Sequence, residues 1–288
     1  MSSQLIGQTA LVTGAGRGIG QAVALALAGA GADLVLVARS AGELEETRSR
    51  VEALGRGACA VPTDVGRLEQ VRHAVAEGVA RFGKLDVLVN CAGCQGPIGL
   101  LWKNSPDDWA RTVQVNLVGT FHCMHAVLPG MVTRRRGKII NFSGGGATSP
   151  RPNFSSYAAS KAAVVRLTET LAEELRPFNI QVNAIAPGAV NTRMLDEVLA
   201  AGAAAGAELA AAEVRKSKGG TPVEVAAQLV VFLASAVFDG LTGKLISAPH
   251  DGWQAWDAEH VARLGGSPWH TLRRMDEHTL RPFLEKAV

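Results

Sequence analysis

The chain carries a single tyrosine, Tyr157, four residues before Lys161 in the run Ser155-Ser156-Tyr157-Ala158-Ala159-Ser160-Lys161. Residues i and i+4 share a helix face, so this spacing sets a phenol beside an ammonium. A neighbouring positive charge favours the phenolate and pulls a tyrosine pKa down from about 10, which makes the hydroxyl a proton donor or acceptor near neutrality. The chemistry on offer is acid/base. The same spacing also occurs in surface pairs of no consequence, so the rest of the chain decides.

A second group lies near the N-terminus. Thr13-Gly14-Ala15-Gly16-Arg17-Gly18-Ile19-Gly20 follows the apolar run Thr9-Ala10-Leu11-Val12 and opens an Ala/Leu/Val segment that continues to Ala30. The order reads strand, glycine turn, helix. Such a turn brings backbone close to a pyrophosphate and aims free N–H groups and the positive end of a helix dipole at it. Gly14, Gly18 and Gly20 are spaced Gly-x-x-x-Gly-x-Gly and do not satisfy the strict Gly-x-Gly-x-x-Gly fingerprint; alone, the string also fits a glycine-rich turn in a generic α/β protein.

The elements that must position these groups follow from patterning. A chain of 288 residues, 47% hydrophobic and 19% charged, fits one large α/β domain. β-rich runs at 33–38, 85–90, 138–142 and 180–185 alternate with helical patterns, which predicts a parallel sheet with helices on both faces. Ser105-Pro106-Asp107-Asp108 reads as a capped helix start and Thr221-Pro222-Val223-Glu224 as a capping box. Residues 200–212, almost all Ala and Gly, read as a helix-prone, mobile segment.

Six ordered motifs from about Gly7 to Ser247 resemble the short-chain dehydrogenase/reductase family. They are the glycine turn, Asp64-Val65, Asn90-Cys91-Ala92-Gly93, Asn116-Leu117-Val118-Gly119, the Tyr157/Lys161 pair, and Asn183-Ala184-Ile185-Ala186-Pro187-Gly188 leading to Val190 and Thr192. The resemblance implies a Rossmann-like doubly wound parallel sheet and hydride exchange between a nicotinamide and a ketone, aldehyde or secondary alcohol, with Tyr157 exchanging the proton. It implies further that Lys161 holds the nicotinamide ribose, Asn116 keeps a water chain behind Lys161, and Thr192 anchors the carboxamide. Gly14, Arg17, Gly18, Ile19, Gly20, Arg39, Ser40, Asp64, Val65, Asn90, Ala92, Gly93, Pro187, Gly188 and Val190 complete the implied cofactor site. A cofactor-binding scaffold or sensor with vestigial activity is the alternative reading.

Two departures bear on mechanism. The family's catalytic serine falls thirteen residues before the tyrosine, which is Gly144 here, and Ser143 stands one step early. A one-residue step on a regular strand reverses the side chain, so a catalytic Ser143 requires a local bulge; otherwise Tyr157 with a backbone N–H, or a substrate group, holds the substrate oxygen. At the end of the second strand the chain reads Ala38-Arg39-Ser40, without the acid that would bind an adenosine 2′-hydroxyl; with Arg17 this favours NADP over NAD.

The domain is expected to span 1–252, with a substrate lid at 194–220. A C-terminal extension, 253–288, carries three of the five tryptophans and is expected to pack on the lid or on a neighbouring subunit of a dimer or tetramer. A net charge of +3 does not argue for nucleic acid, and Arg134-Arg135-Arg136 reads as a solvated loop. With neither a signal-like start nor an unbroken apolar run of about 18 residues, the expectation is a cytoplasmic protein without a membrane partner. Cys59, Cys91, Cys94 and Cys123 suggest no disulfide framework and no metal site, and His122, Cys123 and His125 read as helix packing.

Overall fold

Strands that pack on both faces need apolar side chains throughout, and in β1 (Thr9–Thr13) all five residues are buried. The structure, a computed structural model, describes residues 4–274. Beside β1 lie β2 (Asp33–Ala38), β3 (Ala58–Pro62), β4 (Val87–Asn90), β5 (Gly137–Phe142), β6 (Ile180–Ala186) and β7 (Leu245–Ser247), in the sheet order β3-β2-β1-β4-β5-β6-β7 with every pair parallel. The order reverses between β1 and β4, so this is the doubly wound arrangement, with its crevice at the carboxyl ends of those two strands. The strand expected from Leu85 begins at Val87, with Asp86 leading into it: its N–H donates to the Thr9 carbonyl at 2.8 Å and its carboxylate accepts the Thr9 N–H at 3.0 Å.

The helices are α1 (Gly18–Gly29), α2 (Ala41–Ala53), α3 (Leu68–Phe82), α4 (Pro106–Val113), α5 (Gly119–Arg134), α6 (Ser155–Leu175), α7 (Arg193–Ala201), α8 (Glu208–Lys218), α9 (Val223–Ala234) and α10 (Ala258–Gly265). Ser105 caps α4 by accepting from the Asp108 N–H at 3.3 Å. Thr221 caps nothing: Pro222 takes the cap position of α9, and the Thr221 N–H is turned away to the Ala189 carbonyl. The alanine-rich stretch is not one helix, because Gly202 and Gly206, at φ of 54° and 60°, break it into α7, a short 3₁₀ turn and α8.

α4 and α5 join through a single π turn, Gln114–Val118, into a continuous helix from Pro106 to Arg134. With an 18-residue window of mean hydropathy 1.2, this helix is long and apolar enough to cross a membrane by length and composition alone. The sequence showed no unbroken apolar run here because Asn116 and Thr120 interrupt it, and both are buried within the fold. The helix packs against α3 and α6 and leaves Phe121 and His125 outward.

The extension is described as far as residue 274. Trp253, Trp256, Val261 and Leu264 join the core cluster that also contains residues of α1 and α9, with the Trp253 ring edge-on to Phe232 at 4.9 Å. The chain then returns along β7, where the Leu245 N–H donates to the His270 carbonyl at 2.7 Å and the buried Lys244 ammonium donates to the carbonyls of Ser267 and Trp269. Its described part joins the core cluster of α1 and α9 and borders β7, and none of its described residues belongs to the cluster of the lid; Trp269 stays exposed, and residues 275–288 lie outside the described residues.

Candidate active site

The glycine turn is built by close approach. A Cβ on Gly20 would stand 2.1 Å from the Gly14 carbonyl oxygen, so only glycine lets α1 start against the end of β1. α1 begins without a side-chain cap and without an acid in its first turn, which leaves its N-terminal donors for an anion. The turn opens onto a groove of about 730 Å³. Lining it are Gly14, Arg17, Gly18, Ile19, Gly20, Arg39, Ser40, Asp64, Val65, Ala92, Gly93 and Thr192 from the expected set. Uncapped donors, the arginines Arg17, Arg39, Arg111 and Arg193, and a small-residue floor fit a dinucleotide.

Other expected cofactor residues are held elsewhere. Asn90 ties β4 to β5, its Nδ2 donating to Asn141 Oδ1 at 2.9 Å. Gly188 packs against Thr221 and Pro249, and neither Pro187, Gly188 nor Val190 lines the groove. Groove residues outside both the expected cofactor set and the expected lid include Glu43, whose carboxylate accepts from Arg17 at 3.0 Å, and Thr63, Arg111, Val115 and Arg193, while Met194 and Glu197 bring the start of the expected lid to the groove. Glu43 sits five residues past the end of β2, beyond where an acid at the strand end would be sought.

Asn116 stands on the π turn, where the extra residue re-aims a side chain that a regular helix would carry elsewhere. Its Oδ1 accepts from the Cys94 N–H at 2.9 Å, and its Nδ2 donates to the Cys94 carbonyl at 3.0 Å and to Ser160 Oγ at 3.1 Å. This clamps the strand-end turn of β4 to α6. His122 does a similar service, its Nδ1 lying 2.9 Å from the Val65 carbonyl. Among the described residues no group of His, Cys, Asp and Glu could hold a metal ion.

Tyr157 and Lys161 share the buried face of α6 as their spacing predicts, with the ammonium 5.6 Å from the centre of the phenol ring. The electrostatics differ from expectation. Burial pushes the Tyr157 hydroxyl up to about 12 against the opposing charge of Arg151, and burial pushes Lys161 down to about 8. Desolvation outweighs the neighbouring charge, because α7, the 3₁₀ turn after it and α8 close over the ring with Leu195, Val198, Ala205 and Ala212. In this closed state the phenol is a protonated acid. Lys161 Nζ donates to the Phe142 carbonyl at 2.8 Å, and the Cα of Gly93 is close enough that a Cβ there would lie 3.6 Å from that Nζ.

The bulge that a catalytic Ser143 requires is not formed. The β5–β6 register runs without a slip through Phe142 and Ile185, and the Ser143 N–H continues the ladder to the Ile185 carbonyl at 2.8 Å. It is residue 144 that faces the phenol: a Cβ on Gly144 would meet Tyr157 Oη at 2.4 Å. Ser143 keeps a buried hydroxyl with no partner. Ser143→Ala is therefore expected to change turnover by less than about threefold and to leave stability equal or slightly higher, since an unsatisfied buried hydroxyl is removed; steady-state rates and thermal melts check it.

Residues 8–202 match the short chain dehydrogenase family. The short-chain reductase protein NovJ of Streptomyces niveus is 40% identical over 243 residues, covering 82% of this chain and 90% of that protein. Among solved structures, NAD+-bound xylitol dehydrogenase superposes with a TM-score of 0.80 at 32% identity, covering 85% of this chain and 98% of the other. A gluconate 5-dehydrogenase from Burkholderia cenocepacia J2315, in complex with NADP and tartrate, gives 0.76 at 32% identity, covering 90% and 97%.

Proposed function

This chain belongs to the short chain dehydrogenase family and is an NAD(P)-dependent oxidoreductase, and we propose that it prefers NADP and interconverts a ketone or aldehyde with an alcohol, using Tyr157 as proton donor and acceptor. The observation that carries the reading is the convergence of Tyr157, Lys161 and Asn116 at the strand ends bordering the groove. When bound, the nicotinamide dinucleotide supplies or accepts the hydride at the carbonyl carbon. Tyr157 Oη gives its proton to the carbonyl oxygen in reduction and takes one back in oxidation, and solvent restores the balance. Lys161 holds the ribose side from α6, and Asn116 keeps the turn at 91–94 in place behind it. The one observation favouring a scaffold with vestigial activity is Gly144, which leaves the serine position without a side chain. Oxidation of NADPH in the presence of a panel of ketones and aldehydes tests the reading; nucleotide binding without turnover on any of them would favour the scaffold.

The cofactor preference rests on Arg39, exposed at the groove, and on the lack of an acid from Ala38 to Ser40. Solved relatives bind either nucleotide, one with NAD+ and another with NADP. Glu43 is the opposing element, since it occupies the Arg17 guanidinium. Arg39→Asp is expected to move the NADP-to-NAD affinity ratio toward NAD by at least about tenfold, and Glu43→Gln to tighten NADP several-fold, by freeing a phosphate-binding fork. Titration of both nucleotides against the three proteins checks this. A homo-oligomer, dimer or tetramer, located in the cytoplasm completes the proposal; the outward side of the long helix, with Phe121, offers an apolar surface for it.

A further inference from the structure

We propose that Arg151 selects the substrate, and that the substrate is an oxo acid or hydroxy acid whose carboxylate replaces that of Glu208 on the Arg151 guanidinium. The inference rests on the hydride-transfer reading above for the fate of the bound molecule, and names its chemical class.

Arg151 belongs to the loop between β5 and α6, and its surroundings divide into a fixed side and an exchangeable one. On the fixed side, its guanidinium carbon lies 4.0 Å from the centre of the Phe154 ring and 5.2 Å from that of Tyr157. With the buried Gln95 amide oriented so that its oxygen faces the guanidinium, both terminal nitrogens donate to it at 3.1 Å. A side chain at Gly146 would meet Arg151 Cβ at 3.0 Å, so the arginine stem lies directly on the glycine run. Every one of these contacts comes from the body of the fold, so the guanidinium is oriented whether or not α8 is in place.

On the other side, Nε and Nη2 donate in parallel to the two oxygens of Glu208, at 2.5 and 2.6 Å. This is the bidentate fork by which arginine reads a carboxylate. Glu208 is the first residue of α8, and of the eleven residues of that helix Ala212 alone is buried. The helix that covers Tyr157 is thus held to the body of the fold by a carboxylate on a fork and little apolar area, its other polar ties, Lys216 to Asp196 at 2.8 Å and the Arg215 carbonyl to Asn191 at 3.0 Å, running to α7 and the segment before it.

A guanidinium this deeply placed, with its side chain 15% exposed, does not tolerate losing its counter-charge. An incoming carboxylate satisfies that demand: it takes the fork as Glu208 leaves, so that opening of the lid and capture of the substrate become one like-for-like exchange. A neutral substrate offers no such exchange. The separation is also suited to the reaction, because the same run of glycines meets both groups: a Cβ on Gly144 would touch Tyr157 Oη, and one on Gly145 would lie 3.8 Å from Arg151 Nε. With the phenol ring centre 5.2 Å from the guanidinium carbon, the carbonyl must lie close to the carboxylate, as in a 2- or 3-oxo acid.

Two measurements test this. The first uses protein saturated with NADP+, so that no reduction occurs, and follows binding of acetoacetate, methyl acetoacetate and inorganic phosphate by thermal shift and calorimetry. Acetoacetate is expected to bind at least about tenfold more tightly than its ester, Arg151→Gln to abolish that difference, and Glu208→Gln to tighten acetoacetate several-fold by weakening the competitor. Equal binding of acid and ester to the wild type, phosphate binding more tightly than acetoacetate, or weaker acetoacetate binding by Glu208→Gln would overturn the proposal; the last holds even if Arg151→Gln fails to fold. The second compares NADPH-dependent reduction of 2- and 3-oxo acids with that of their methyl esters. The acid-to-ester ratio of kcat/KM is expected to fall at least about 30-fold in Arg151→Gln, through KM of the acid. A ratio unchanged by the substitution, or ester preference in the wild type, would sink the inference. Selective acid binding without reduction of any compound would instead remove the hydride-transfer reading and leave the carboxylate site standing.

Discussion

Tyr157→Phe should lower turnover by at least about a hundredfold, the range over which a positioned general acid contributes, while nucleotide affinity stays within a few-fold. The substitution deletes one oxygen and keeps the ring, which is packed among Phe154, Leu195 and Val198. The scaffold is therefore expected to survive, and thermal melts should show it. Because burial holds the hydroxyl near 12, the wild-type enzyme has its proton in place across the physiological range, and reduction should not fail for lack of a protonated tyrosine below that value. Steady-state rates beside a fluorescence titration of NADPH decide the matter. A variant retaining more than about a tenth of wild-type turnover would take the proton-transfer role away from Tyr157.

Lys161→Met should combine a large loss of turnover with a gain in stability of the ligand-free protein. The ammonium is buried, and its pKa falls from 10.5 to about 8. At about 1.4 kcal/mol per decade, holding it charged at neutral pH costs the fold roughly 3 kcal/mol. Methionine removes that cost and loses the bond to the Phe142 carbonyl, worth about 1 kcal/mol, so the net gain is about 2 kcal/mol and roughly 5 °C in melting temperature. The sign with pH follows. Between pH 8 and 10.5 the unfolded lysine binds more proton than the folded one, so wild-type stability rises relative to the variant and the gap closes; below about 8 the cost is fully present. Melting curves at pH 7 and 9.5 check both statements. A variant less stable than wild type at pH 7 would show that Lys161 is a structural brace and not a functional burden.

The parts legible in the sequence were those with local, repeating physics. Short, continuously apolar β-rich runs marked the strands, and the glycine spacing marked the turn, since Gly14, Gly18 and Gly20 answer to local geometry. The i, i+4 spacing placed Tyr157 and Lys161 together. Their pKa values were not legible, because they depend on α7 and α8 closing from more than thirty residues away in sequence. Arg151 was passed over for the same reason: its meaning comes from Glu208, 57 residues on, and from Gln95, 56 residues back, and no window contains all three. Ser143 misled because a serine beside the serine position invites a bulge, and only the unbroken β5–β6 ladder shows which residue faces the phenol. Glu43 was hidden by one turn of helix between the end of β2 and the place where its carboxylate reaches Arg17.

The return of the chain along β7 closes off a hazard inherent in open sheets. A sheet has two borders, and unpaired backbone groups at either can recruit a strand from another molecule and begin an ordered aggregate. Here one border is the short β3, which ends in Pro62, a residue with no N–H to offer. The other is β7, three residues long, whose Leu245 N–H is already spent on His270 and whose approach is overlaid by the segment that Lys244 fastens at Ser267 and Trp269. Neither border invites growth. Among the described residues, the extension thus acts as a hem on the sheet, leaving few main-chain donors and acceptors at this border for another strand to take up.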